Sequence, residues 1–487
     1  MLWVYVTLSI MLDADLELRL HLLREKETLP AALVDAFKAF LLSAPEESLF
    51  RMSPLRWGKS HGATEQQAID LFLYATYAGI LDFAWGILCP GCLAFLTTPG
   101  ALRSIEKKHC SFCGLDIERT LDDRVEVAFT VSPCVRPIRF HSLESLDLNQ
   151  DAMRIYFSSS IAPESEPHRV FAAGIMQTGR IPPGGVQTLE LTLEEGDTVI
   201  MAPAHHATLC LEVHPEHRGP RAVSAEIFDG WTLPECVPVP TGTVAVRLHN
   251  RMTQAVGYLI APAYSGIWPD AAAPGLPLLH PVLPYLSGTR LITSQVFREL
   301  FRAQRIPAEI GLEVKGATFL FTDLKGSTAL YERVGDLQAY ELVRRHFSVL
   351  YSLIAGAGGA IVKTIGDAVM ASFAEPLAAI RAVTRMREEL ARQSGDALHL
   401  KIGLHTGTCI AVQLNEQLDY FGRTVNIAAR VQGLAGAGEI VCTAPVYATR
   451  GVPEVVAAAG FTAEHAAVPL RGINGTVEVV RCRPAQS

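Results

Sequence analysis

The chain has 487 residues, a net charge of −8 at pH 7, and 49% hydrophobic against 19% charged residues. That length implies roughly two to four domains, and the composition is that of a folded globular protein. The acidic balance gives no support to duplex nucleic-acid binding, which favours basic surfaces.

Met1 to Leu12 is apolar but stops at Asp13. It is shorter than the about 20 residues a membrane span requires. It also lacks the basic start and small-residue cleavage site of a secretory leader. A buried strand is expected there, and no membrane span is expected anywhere. Residues 1–88 read as mainly helical. Pro30 to Leu41 places apolar residues at helical spacing, and Thr64 with Gln67 three residues on suits an N-cap.

Residues 89–118 form a cysteine module. Cys89, Cys92, Cys110 and Cys113 follow a C-x2-C-x17-C-x2-C spacing. Two such knuckles can converge four thiolates on one ion, so a zinc ribbon with one structural Zn²⁺ is expected. Only Arg103, Lys107 and Lys108 offer charge nearby, and no nucleic-acid role is expected. The other six cysteines (Cys134, Cys210, Cys236, Cys409, Cys442, Cys482) are scattered. That usage suits a reducing compartment, so a cytoplasmic location is expected.

Residues 119–285 alternate short β-branched runs with Pro- and Gly-rich turns. The runs are Val125–Val131, Thr188–Leu193, Ala207–Val213, Val244–Leu248 and Val256–Ala261. They predict a β-rich, sandwich-like domain. Residues 286–316 read as a linker with a short helix over Ser294–Gln304. From 317 to 487 the order is strand, long helix, hairpin, helix, strand pair, short helix, strands. This suits an α+β, ferredoxin-like sheet with helices on one face. The chain as a whole is therefore multidomain.

The last domain carries the chemistry. Asp323 ends the strand Phe319-Leu320-Phe321, and Gly326-Ser327-Thr328 follows as a turn whose N–H groups could receive phosphates. Asp367 follows Gly366 in what reads as a hairpin: Gly359–Ile365, a tight turn, then Ala368–Phe373. Two such carboxylates on neighbouring strands, with substrate phosphates, suit Mg²⁺. Asn426 and Arg430 are four apart and share a helix face, where an amide and a guanidinium could orient a sugar and stabilise phosphate charge.

The motifs FTDLKGST, VKTIGDAVM, GLHTGT and LDYFGRTVNIAAR, spread over Ala317 to Arg481, resemble those of class III nucleotidyl cyclase catalytic domains. The resemblance implies that Asp323 and Asp367 bind two Mg²⁺ (or Mn²⁺). It implies that Lys363 and Asp419 read the base, and that Asn426 and Arg430 serve the transition state. Arg471 then contacts the triphosphate. A Lys/Asp pair resembles adenylyl cyclases, implying ATP as substrate, with 3′,5′-cyclic AMP and pyrophosphate as products. A guanylate cyclase and a non-catalytic nucleotide-binding regulator are the alternatives. Thr408 departs from the family, where a basic residue often follows the position of Gly407. The family divides each site between two protomers, which implies a homodimer. The upstream half resembles the region that precedes the catalytic domain in a group of bacterial soluble cyclases.

Overall fold

The structure is a computed structural model. It describes residues 15–89, 93–95, 108–110, 115–117, 125–143, 146–161, 169, 172–263, 283–301, 312–325, 332, 334–394, 399–414 and 417–485. The apolar start at 1–12 lies outside the described residues. The chain divides into two compact units, one through Leu286 and one from Ser287 onward.

In the first unit, the helix Ala31–Ser43 buries Leu33, Val34, Phe37 and Leu41, one stripe at helical spacing. The helix Glu65–Tyr77 starts with the capping box read in the sequence. Gln67 N–H donates to Thr64 Oγ1 at 3.2 Å, and Thr64 N–H donates to Gln67 Oε1 at 3.0 Å. The two helices and Pro54–Ser60 meet through Phe37, Trp57 and Phe72, with Phe37 edge-on to Trp57 at 5.3 Å. Residues up to 88 are not all helical, however. Leu81–Ile87 is a strand, paired antiparallel in full register with Val125–Val131. Its LDFAWGI sequence is rich in residues that pack well on a pleated surface.

Further along lie two sheets. One has four strands in the order Trp231–Leu233, Ala222–Phe228, Gly242–Asn250, Val186–Leu193. The other has five: Cys236–Val239, Ala207–Val213, Thr198–Ala202, Val256–Pro262, Gln177–Ile181. Leu191, Val246, Leu209, Leu211 and Tyr258 from both sheets share one core. The run Val125–Val131 belongs to neither sheet, because its partner is Leu81–Ile87.

The second unit opens with two short helices, α1 (Gly288–Ile292) and α2 (Gln295–Leu300). Then come β1 (Leu312–Lys325), α3 (Asp336–Gly356), β2 (Ala360–Ile365), β3 (Ala368–Phe373), α4 (Pro376–Ser394), β4 (His399–Leu414), β5 (Gln417–Phe421) and α5 (Arg423–Gln432). The chain ends with β6 (Ile440–Thr443), α6 (Ala444–Tyr447), α7 (Val452–Ala458), β7 (Phe461–Pro469) and β8 (Thr476–Pro484). One mixed sheet runs β2-β3-β1-β4-β6-β8-β7, with β5 on β4.

The helices cover both faces of this sheet, not one. Strand alternation shows why. Ile402 and Leu404 of β4 pack with Leu350, Ile354, Val383 and Met386 from α3 and α4. Gly403, between them, faces the other way. A Cβ there would lie 2.2 Å from Gln432 N, so α5 seats against β4 only because this residue is glycine. Ile427 and Val431 of α5 then build a second core with Val441, Leu470 and Val479.

Candidate functional site

The last register pair of β1 with β3 is Thr322↔Val369. Asp323 on β1 and Asp367 in the turn that leads into β3 stand just beyond it, at the same end of the sheet. Asp323 shares a strand face with Phe319 and Phe321, opposite the core side of Leu320 and Leu324. Its Oδ2 lies 3.4 Å from Nζ of Lys401, its register partner on β4. Asp367 occupies the second loop position of the β2–β3 hairpin. Gly366, the first, has φ +63°, as a two-residue hairpin turn requires. The tight turn expected from sequence is therefore present, and it fixes where Asp367 sits.

Oδ2 of Asp367 is buried and has no hydrogen-bond partner among the described residues. An acceptor in that position is unsatisfied, and a bound cation would relieve it. His346 of α3 lies beside it, 2% exposed, with neither ring nitrogen hydrogen-bonded among the described residues. Burial pushes the His346 imidazole down to about 4, against an opposing pull from the Asp367 charge. Near neutral pH it is uncharged.

Sequence reasoning missed His346, although a signal existed. Val343, Leu350 and Ile354 mark the buried stripe of α3, and a histidine on that stripe is out of place.

Lys363 and Asp419 are 56 residues apart in sequence, on β2 and β5, yet Lys363 Nζ lies 2.7 Å from Asp419 Oδ2. The Tyr420 backbone N–H donates to Asp419 Oδ1 at 2.8 Å, which fixes the carboxylate. Around them, Ile361 N–H donates to Gln295 Oε1 at 2.8 Å, and Arg298 donates to the Leu418 carbonyl. Tyr420 packs edge-on against Phe319 at 5.1 Å and donates to the Ile292 carbonyl at 3.2 Å.

Asn426 and Arg430 lie on α5, both exposed, one turn apart. Arg430 reaches the β7–β8 loop. A Cβ on Gly472 would meet its Nη2 at 3.5 Å, which puts Arg430 near Arg471, also exposed. Two cations thus gather at one edge of the domain. Gly326, Ser327 and Thr328 lie outside the described residues. So do Cys92, Cys113 and the side chain of Cys110; of the four cysteine-module residues only Cys89 is described in full, and it is buried.

Residues 14–299 match a family of unknown function (DUF5939), and residues 313–455 match the adenylate and guanylate cyclase catalytic domain. An adenylate cyclase of Mycosarcoma maydis is 31% identical over 29% of this chain and 7% of its own length. Adenylate cyclase 2 of Rhizobium meliloti is 30% identical over 34% of this chain and 50% of its own. The crystal structure of the adenylyl cyclase CyaB from P. aeruginosa aligns at 22% identity over 36% of this chain and 97% of that one, with a TM-score of 0.30. The chain spans half or less of the length of the first curated relatives it matches. The catalytic-domain match runs from β1 into α7 and includes Asp323, Lys363, Asp367 and Asp419. The chain belongs to the DUF5939 family and carries, toward its C-terminal end, a class III adenylyl/guanylyl cyclase catalytic domain.

Proposed function

We propose that the C-terminal domain is an adenylate cyclase, converting ATP to 3′,5′-cyclic AMP and pyrophosphate, and that it works as a homodimer with two composite sites. The observation that carries this reading is the Lys363–Asp419 pair at 2.7 Å. A lysine can donate to an adenine ring nitrogen while an aspartate accepts from the exocyclic amine. Guanine carries a carbonyl oxygen at that place, which a carboxylate repels.

Asp323 and Asp367 are the residues that would hold two divalent cations. They offer hard carboxylate oxygens, and the orphaned Asp367 Oδ2 fits that role. When bound, Mg²⁺ or Mn²⁺ would lower the pKa of the ribose 3′-hydroxyl and neutralise phosphate charge. The protein's own groups do the rest. Asn426 orients the ribose by hydrogen bonding. Arg430 donates to the phosphoryl oxygens as charge builds at the α-phosphate. Arg471, close by, holds the triphosphate. Both Asn426 and Arg430 face solvent, which suits a site completed by a second copy of the chain.

The test is direct. Purified full chain is incubated with Mg²⁺ or Mn²⁺ and either ATP or GTP, and the product is identified by mass. Cyclic AMP is expected, and Asp323→Ala should abolish it. A product made from GTP in preference, or turnover surviving in Asp323→Ala, would overturn the assignment.

A further inference from the structure

A cavity of about 590 Å³ lies in the N-terminal unit, among the helices Ala31–Ser43, Pro54–Ser60 and Leu148–Tyr156. That volume falls in the range of small-molecule sites. Its apolar wall is largely aromatic, from Phe40, Phe50, Trp57 and Phe157, with Met153 beside them. Flat rings on several sides favour a flat guest.

The polar part of the wall is cationic. Arg51, Arg56 and Arg154 line it against a single carboxylate, Glu47. Glu47 is already committed, since Arg139 Nη2 holds its Oε1 at 2.5 Å. Arg51 is 5% exposed, and its guanidinium lies between the Phe50 and Phe95 rings, 4.9 and 4.4 Å from their centroids. Its Nη1 donates to the Ile155 carbonyl at 2.8 Å. Its backbone has φ +49°, a left-handed conformation that a non-glycine residue adopts at a cost of about 1 kcal/mol or more.

Arg56 donates to Ser159 O at 2.6 Å and to Ser159 Oγ at 2.7 Å. Neither Arg51 nor Arg56 forms an ion pair among the described residues. Glu126, buried behind them, is taken up by Ser158 and Ser160, and burial pushes its carboxyl up toward the neutral form. Two further donors on lining residues, Arg56 Nε and Trp57 Nε1, are buried without an acceptor among the described residues. Glu126 is the nearby charge to both arginines, but it makes no direct ion pair with either, and buried donors without an acceptor are costly.

We propose that this cavity binds a small organic anion, a flat apolar body bearing one carboxylate or phosphate group. The anionic group sits toward Arg56 and Arg154, and the flat body lies against Phe50, Trp57 and Phe157. The site is separate from the cyclase chemistry, and its test does not depend on that chemistry.

The full chain is titrated with 1-anilinonaphthalene-8-sulfonate, a flat body with one negative charge, and with uncharged N-phenyl-1-naphthylamine. Saturable fluorescence at one equivalent per chain is expected, with the uncharged probe weaker by about ten-fold. Arg56→Gln and Arg154→Gln should each raise the Kd of the anionic probe by about ten-fold and leave the uncharged probe unchanged. Met153→Trp fills the cavity without removing charge. It should abolish binding while the melting temperature holds. Competition by 1-naphthoate against 1-naphthyl phosphate then identifies the head group, the stronger competitor being its class. Non-saturable binding, equal affinity for both probes, undiminished binding in Met153→Trp, or displacement by neither competitor would each overturn the proposal.

Discussion

Replacing Lys363 with methionine separates a base-reading pair from a mere brace between strands. The lysine side chain is 41% exposed and the aspartate 11%. The pair therefore lies between exposed ion pairs, worth up to about 1 kcal/mol, and buried ones, whose breakage costs about 3–5 kcal/mol. Asp419 would keep the Tyr420 N–H at 2.8 Å, which softens the loss. We expect a cost of about 1–2 kcal/mol, or a fall in melting temperature of about 3–6 °C for a domain of this size. The catalytic effect is larger if the lysine reads adenine. Loss of one charged donor to the base removes about 1.5–3 kcal/mol, or roughly ten- to a hundred-fold in kcat/KM for ATP. Because GTP never gained that interaction, the ATP/GTP ratio of kcat/KM should fall by the same factor. The assay is cyclic nucleotide formation from each substrate, run beside thermal melts. A lowered melting temperature with the ATP/GTP ratio within about two-fold of the parent would show that the pair only braces β2 and β5, and the base-reading role would be refuted.

Asp367→Asn keeps the side-chain shape but removes the charge from the buried, unpartnered Oδ2. Activity should fall by at least about 100-fold, and Mn²⁺ affinity, measured by calorimetry, should drop with it; parental Mn²⁺ affinity would count against the metal role. Mixing Asp323→Ala with Arg430→Ala chains in equal amounts makes half of the dimers mixed, each with one intact site, so about 25% of parental activity should return. A site built within one chain gives near-zero activity at every ratio. His346 gives a pH signature: its folded pKa, about 4, lies below the ordinary value of 6.5. Stability is therefore whole above pH 6.5 and falls as pH drops toward 4, by up to about 1.4 kcal/mol per unit. His346→Leu should flatten that fall when urea midpoints are compared between pH 4.5 and 7.

Much of this domain was legible because its candidate site residues sit where local rules are strongest. Gly366 with Asp367 between two β-branched runs can hardly be anything but a hairpin tip, and it is one. The spacing of Asn426 and Arg430 reads directly as one helix face. What the sequence hides is pairing at long range. Nothing local says that β5 brings Asp419 to Lys363, that Lys401 lies opposite Asp323, or that α5 covers the face opposite α3 and α4. Gly403 is the clue to the last point, but a lone glycine in a strand also reads as a bulge. The strand Leu81–Ile87 was missed for the same reason. Its partner begins 38 residues later, at Val125.

The boundary between the two family matches does not coincide with the physical one. The upstream match ends at residue 299 and the catalytic match begins at 313, while the compact units divide between Leu286 and Ser287. Helices α1 and α2 thus belong by sequence to the upstream family and by packing to the catalytic unit. Their contacts are specific. Gln295 accepts from Ile361, two residues before Lys363, and Arg298 donates to Leu418, one residue before Asp419. Arg298 also lies over the Tyr420 ring at 5.7 Å, and Tyr420 donates to Ile292. The backbone next to Lys363 and next to Asp419 is therefore held by residues outside the catalytic match, whereas Asp323 and Lys401, both inside it, pair with each other. A catalytic domain cut at residue 313 would keep Asp323 on β1 and Asp367 in the β2–β3 turn. It would lose the contacts of α1 and α2 with β2 and β5, and under the proposed base-reading role its ATP/GTP ratio of kcat/KM should fall relative to the full chain, whereas an unchanged ratio would show that these helices do not position the pair.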